Sequence, residues 1–240
     1  MVTLTINGVA IQAEAGTSIL EAARANNIDI PSLCYHESVS SYGACRLCLV
    51  EVTQGKRKRL VASCLFPVED GLVVQTDTEE ITSIRRMLIE LLLERCPDSE
   101  VIREMARQLG AQQVPPAGRR TSDKCILCAL CARTCNEVVG VCAISLVDRG
   151  VDRELATPFY DASDVCIGCG SCAYVCPTGA ISCEDVGDKR IIQWPTSKME
   201  FKLMRCRICG DYFLPEKQVQ YLAQQSHQDV EELDVCSNCR

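Results

Sequence analysis

The chain is short of aromatic residues, which make up 5% of its 240 positions, and it holds a single tryptophan and two histidines. A chain with so few large side chains lacks the usual fillers of an extended hydrophobic core. It also lacks a long apolar run. The longest, "MLIELLL" from Met87 to Leu93, is interrupted by Glu90 and is too short to span a bilayer. The first residues, "MVTLTING", have neither a basic start nor an apolar stretch, so no secretory leader is expected and the cytoplasm is the expected location. Basic excess is missing as well: the net charge is −7, which argues against nucleic acid as the main partner. The one basic cluster, Lys56 to Arg59, reads as a solvated hairpin turn. No G-x-G-x-x-G occurs, so no dinucleotide fingerprint is present, and no nucleophile–base constellation is visible.

What the chain has instead is cysteine, at nineteen positions. Disulfides belong to oxidising compartments and usually follow a leader, whereas repeated C-x-x-C pairs have the spacing of metal ligands. Metal is therefore the expected staple.

Four modules follow from the pattern, giving an α+β chain. Residues 1–77 read as two hairpins, one helix and a final strand, a β-grasp arrangement. Asn7-Gly8 marks the first turn, and Thr17 is the expected N-cap of the helix "TSILEAARANNI". Residues 78–121 read as a helical joint and linker. Ile81, Ile84, Leu88, Leu91 and Leu92 form one expected apolar face; Val101, Ile102, Met105 and Leu109 form another, ending at Gly110, before the linker "AQQVPPAGRR". Residues 122–200 contain an internal repeat, and residues 201–240 hold two C-x-x-C pairs around a helical spacer.

The repeat carries the strongest chemistry. Cys125, Cys128, Cys131 and Cys135 follow C-x2-C-x2-C-x3-C; Cys166, Cys169, Cys172 and Cys176 follow it again, with Pro177 next. This is the bacterial ferredoxin run for two [4Fe–4S] clusters, in which the fourth cysteine of each run serves the other cluster. The expected sets are Cys125, Cys128, Cys131 with Cys176, and Cys166, Cys169, Cys172 with Cys135. Zinc knuckles would need paired ligands rather than two runs of four. Asn136 stands where the run usually has proline, and Gly168, Gly170 and Ala129 leave room for backbone N–H groups near cluster sulfur.

In the first module, Cys34, Cys45, Cys48 and Cys64 follow C-x10-C-x2-C-x15-C. That order suits a [2Fe–2S] centre in a β-grasp frame, with a structural zinc as the competing reading. A Rieske centre needs two histidines; His36 and His227 lie in different modules, so His36 reads as a surface or supporting residue. At the C-terminus, Cys206, Cys209, Cys236 and Cys239 fit a zinc ribbon, with rubredoxin-like mononuclear iron as the alternative. Cys96, Cys142 and Cys183 fall outside every set and read as plain buried thiols.

Together, "GACRLCLVEV", "VASC", "GLVVQTDT", "RRMLIELLL", "KCILCALCARTC" and "CGSCAYVCPTGAI" resemble the N-terminal part of the large iron–sulfur subunit of respiratory complex I. The order of parts is still more similar to the diaphorase iron–sulfur subunit of NAD(P)-linked modular [NiFe] hydrogenases, bidirectional or electron-bifurcating. The resemblance covers about residues 1–200. It implies an electron-transfer subunit of a hetero-oligomer, with no catalytic centre of its own. Its implied partners are a flavin/NAD(P)-binding iron–sulfur subunit and a hydrogenase or formate dehydrogenase subunit. That family usually carries a further [4Fe–4S] site on one histidine and three cysteines after the helix. Here that stretch offers only Cys96, so the cluster is expected to be missing. A free ferredoxin-like carrier and a redox-sensing regulator are the rival readings.

Overall fold

The computed structural model describes residues 1–112, 124–161 and 163–240. They fall into two compact units, 1–112 with 124–128, and 129–240. Most of the expected linker, residues 113–120, lies outside the described residues.

The first unit opens with a hairpin. Strands β1 (Val2–Ile6) and β2 (Val9–Ala13) are joined by Asn7 and Gly8, both at positive φ (50° and 82°), as a two-residue type I′ turn requires. Alternation along β1 sends Leu4 and Ile6 into the core and leaves Thr3 and Thr5 outside it. Helix α1 (Ile19–Ala25) begins one residue later than expected: Ser18, not Thr17, is its N-cap. The reason is the spacing to Glu21. The Ser18 hydroxyl accepts from the Glu21 N–H at 3.3 Å, and the Glu21 carboxylate accepts from the Ser18 N–H at 2.8 Å, a reciprocal box that Thr17 is out of register to make. That second bond holds the Glu21 carboxyl below its ordinary range. Ser18→Ala is expected to cost about 1 kcal/mol in a denaturant titration of the chain.

Strands β3 (Leu49–Gln54), β4 (Arg57–Ala62) and β5 (Val73–Gln75) complete a five-stranded sheet in the order β2-β1-β5-β3-β4. Only the central β1–β5 pair is parallel. This is the β-grasp topology, and Ile19, Leu20, Ala22 and Ala23 of α1 join Leu4, Ile6, Val50, Val52 and Val74 in its core. The basic cluster reaches beyond the turn: three of its four residues lie on β4. There Lys58 pairs with Glu51 at 2.8 Å and the Arg59 guanidinium lies 5.0 Å from the Phe66 ring centroid.

Helices α2 (Glu79–Arg95) and α3 (Glu100–Leu109) belong to the same unit, and α3 ends at Gly110 in the left-handed conformation. The buried edge of α2 is Ile81, Arg85, Ile89 and Leu93. The apolar face expected from sequence is therefore rotated: Leu91 is exposed and Leu88 and Leu92 are only half-buried. On α3 the buried pair is Ile102 and Ala106, and Val101 is exposed. The cause of the rotation is Arg85, whose Nε and Nη2 donate to the Leu47 and Leu49 carbonyls, each at 2.9 Å. An arginine that satisfies two buried carbonyls takes an interior position that an apolar stripe would deny it.

The second unit contains α4 (Leu130–Arg133), a π-helical turn Thr134–Val139, the two-stranded pair β6 (Ser145–Val147) and β7 (Glu154–Ala156), and α5 (Ser171–Tyr174). Its larger sheet is antiparallel throughout, in the order β11-β10-β9-β8, built from β8 (Ser182–Val186), β9 (Lys189–Gln193), β10 (Lys198–Arg205) and β11 (Tyr212–Pro215). Helix α6 (Glu216–Ser226) follows. The module boundary expected between residues 200 and 201 thus falls inside β10, whose Met199, Phe201 and Leu203 are buried in turn. Among the described residues no helix is long and apolar enough to cross a membrane.

Candidate metal centres

The β3–β4 hairpin sets the first site. Leu49 faces Ala62, so Cys48 and Cys64 flank the same end of the ladder, and their Sγ atoms are 3.5 Å apart. Cys34 arrives on the loop after α1. Its Sγ accepts from the Cys45 N–H, and Cys45 Sγ accepts from the Leu33 N–H, both at 3.4 Å. Charge on Cys34 is felt at Cys45, Cys48 and Cys64, so the fold gathers all four thiols. They cannot all ionise unaided. The Cys64 thiol holds Cys48 down to about 6, while Cys64 itself and Cys45 are pushed far above the normal thiol range by their thiol neighbours. Four mutually opposed sulfurs, three of them fully buried, fit a cationic iron centre that takes them as thiolates. Ser63 adds a buried hydroxyl that also favours the Cys48 thiolate. Gly43 sits at φ 69°, which strains any other residue, and a Cβ there would also displace the exposed Leu65 side chain, whose Cδ1 would lie 2.5 Å away. His36 is occupied locally, its Nδ1 accepting from the Ser38 N–H at 3.2 Å.

The two C-x2-C-x2-C runs adopt one backbone. Leu127 (φ 54°) and Ala129 (φ 61°) in the first match Gly168 (φ 73°) and Gly170 (φ 77°) in the second. Successive left-handed residues turn N–H groups toward the inside of the loop, a concavity that suits anionic sulfur. The loops differ past the fourth cysteine. Pro177 ends α5 in the second run, whereas Asn136 lets the first continue into the π-helical turn.

Cys135, from the first run, lines the same cavity as Cys166, Cys169 and Cys172 from the second. Its other walls include Ile144, Ile192 and Trp194. Cys135 Sγ accepts from the Ala143 N–H at 3.2 Å. Burial pushes the Cys166 thiol up to about 11 and Cys172 up to about 12, so both need a cation to exist as thiolates at neutral pH. Of the other expected set, Cys125 and Cys128 belong to the first unit and Cys131 and Cys176 to the second; Cys176 Sγ accepts from the Ala180 N–H at 3.2 Å. Gly168 is sterically fixed: a Cβ there would meet the buried Phe201 ring at 2.6 Å. Gly168→Ala is expected to cost about 2–5 kcal/mol, from left-handed strain plus overpacking, measured by thermal or denaturant unfolding.

Cys206, Cys209, Cys236 and Cys239 converge at the C-terminus, with all four Sγ atoms within 4.8 Å of one another. A tetrahedral ion with bonds of about 2.3 Å needs sulfurs about 3.8 Å apart, and Cys209 and Cys236 stand at 3.7 Å. The N–H groups of Cys236 and Cys209 hold the Cys206 thiol down to about 6. Two of the three thiols outside the sets depart from expectation. Cys96 is buried, but Cys142 is exposed at a left-handed turn (φ 51°) with its Sγ 2.8 Å from Asn136 Oδ1, and Cys183 is half-buried, filling the space where a Gly170 side chain would stand.

A β-grasp domain with four gathered thiols, followed by a repeat whose first run places its fourth cysteine in the cavity of the second, defines an iron–sulfur electron-transfer protein. Residues 1–79 match the 2Fe-2S iron-sulfur cluster binding domain, and residues 124–180 and 165–211 match the 4Fe-4S dicluster domain. The chain is 36% identical to the NADP-reducing hydrogenase subunit HndD of Solidesulfovibrio fructosivorans, over 75% of this chain and 36% of that one. It is 30% identical to the mitochondrial NADH-ubiquinone oxidoreductase 78 kDa subunit of Candida albicans, over 75% of this chain and 28% of that one. A solved structure of an NAD+-reducing [NiFe]-hydrogenase in the H2-reduced state is similar at a TM-score of 0.62 and 29% identity, covering 74% of this chain and 85% of the other. The chain therefore spans a quarter to a third of the curated relatives' length, and most of the solved one. Its similarity to these iron–sulfur subunits covers about three quarters of the chain and takes in both iron–sulfur domain types.

Proposed function

We propose that this chain relays electrons between a flavin/NAD(P)(H)-binding subunit and a hydrogenase catalytic module, with a formate dehydrogenase module as the alternative at the far end. Cys34, Cys45, Cys48 and Cys64 would hold a [2Fe–2S] cluster. Cys125, Cys128, Cys131 and Cys176 would hold one [4Fe–4S] cluster, and Cys135, Cys166, Cys169 and Cys172 the other. The observation that carries the reading is Cys135 in the cavity of the second run, because that exchange is the signature of a two-cluster ferredoxin fold. When bound, the clusters supply one-electron chemistry. The chain's part is to supply thiolates, aim N–H groups at sulfur and exclude water with Ile144, Ile192 and Trp194. Cys206, Cys209, Cys236 and Cys239 would hold a structural zinc, for which four closed thiolate positions are the usual donor set.

The test is an anaerobic affinity capture of the chain from its native cell, with metal counting on the eluate. The reading expects about 10 iron per chain with zinc in addition. It also expects a flavin subunit to co-elute with a nickel- or molybdenum-bearing one. A solitary chain carrying its full iron would replace the subunit reading with a mobile carrier.

A further inference from the structure

Trp194, the chain's single tryptophan, lies between β9 and β10 and is 2% exposed. A buried indole almost always places its N–H on an acceptor. Here Nε1 is buried and makes no hydrogen bond among the described residues. The residue is not loosely held: its own N–H donates to the Ser197 carbonyl at 2.8 Å, its carbonyl accepts from Gln193 Nε2 at 2.7 Å, and its ring belongs to the core with Ile192, Leu155 and Phe201. A buried donor on a rigid ring calls for an acceptor in the cavity it lines.

The surroundings identify the acceptor's chemistry. Trp194 lines the same cavity as Cys135, Cys166, Cys169 and Cys172, and apart from Ser171 and Gly170 the remaining lining residues are apolar. Other buried side-chain atoms lack partners too, among them Ser99 Oγ, Ser197 Oγ and Gln218 Oε1. None of those residues lines this cavity.

We propose that the Trp194 indole N–H donates a hydrogen bond to sulfur at the second [4Fe–4S] site, on the Cys172 thiolate or an adjacent sulfide, and so raises the reduction potential there. A donor beside sulfur stabilises the more negative, reduced form, and such bonds are one of the protein's levers on potential. Trp194 is thus a positioning and tuning residue, one step removed from the ligands. The inference rests on the assignment of Cys135, Cys166, Cys169 and Cys172 as ligands.

The test compares wild type, Trp194→Phe and a variant with 3-benzothienylalanine at 194, which keeps the bicyclic shape and lacks the N–H. Iron counting and the EPR spectrum of the reduced wild type come first; no second [4Fe–4S] signal there would sink the ligand assignment, not the indole's role. With the signal present, the midpoint potential is read by EPR-monitored titration, and exchangeable deuterons by ENDOR after transfer to D2O. The expected result is a lower potential in both variants and loss of one exchangeable coupling. If Trp194→Phe fails to load iron, the isosteric variant decides alone. An unchanged potential and an unchanged deuteron coupling in the isostere would overturn the proposal.

Discussion

Cys48→Ser is expected to bring NAD(P)H-linked turnover of the assembled complex to background while leaving turnover with an artificial dye at the catalytic end intact. Cys48 is fully buried, its sulfur lies 3.5 Å from Cys64, and its carbonyl accepts from the Ser63 N–H, so the hairpin end is built around it. Serine keeps the volume and removes the soft ligand, which leaves three thiols that oppose one another in a buried loop. Cys48 is one small member of a β-grasp core that also holds Leu4, Ile6, Val50, Val52 and Val74, so the fold should tolerate the change better than the site does. The asymmetry between the two assays tests a polarity: the [2Fe–2S] end facing the flavin, the paired [4Fe–4S] sites leading to the catalytic subunit. Equal loss in both assays would reject that polarity and leave the relay itself standing.

Cys206→Ser is expected to unfold residues 206–240 while β8, β9 and most of β10 stay formed. The C-terminal module has a small core: the cluster around the ligands is Cys206, Val235 and Cys236, supported by Phe213 and Cys239, and α6 buries only Val219 and Ala223. A structural zinc contributes about 10–16 kcal/mol in peptides of this size, far more than so small an apolar cluster offers. The module is tied to the rest of its unit by the short β10–β11 ladder, by the Lys202–Glu216 ion pair at 2.7 Å, and by bonds that include Tyr221 Oη donating to the Val139 carbonyl at 2.7 Å and Lys217 Nζ to the Asp164 carbonyl at 3.2 Å. None of these replaces the metal. Limited proteolysis should cut the variant at Arg205, Arg207 and Lys217 while the β8–β9 hairpin resists. A variant as resistant as wild type would mean that the module folds without its ion.

Much of this was legible in the residues because metal ligands have fixed spacing. The exchange of Cys135 into the second run's cavity followed from the run alone, and the four C-terminal thiols converge as two C-x-x-C pairs require. Asn7-Gly8 and Gly110 were legible for a related reason, since few residues accept positive φ. What failed was what depends on tertiary context. The buried edge of α2 includes Arg85, whose partners are carbonyls on a distant strand; an apolar count has no term for that. Thr17 and Ser18 are both good caps, and the choice turned on register with Glu21. The break between the last two modules was placed inside β10 because a cysteine pattern marks ligands, not the sheet that carries them. Trp194 drew no attention as a single aromatic. Its orphaned N–H is visible only when the cavity walls are known.

The central claim, a three-cluster relay in one chain, is tested most directly by quantitative EPR on the anaerobically purified chain during a reductive titration. The account predicts one [2Fe–2S] signal and two [4Fe–4S] signals in equal amounts, with broadening where the paired sites interact. A chain whose iron gives only an isolated mononuclear signal, or whose β-grasp site carries zinc instead, would contradict it.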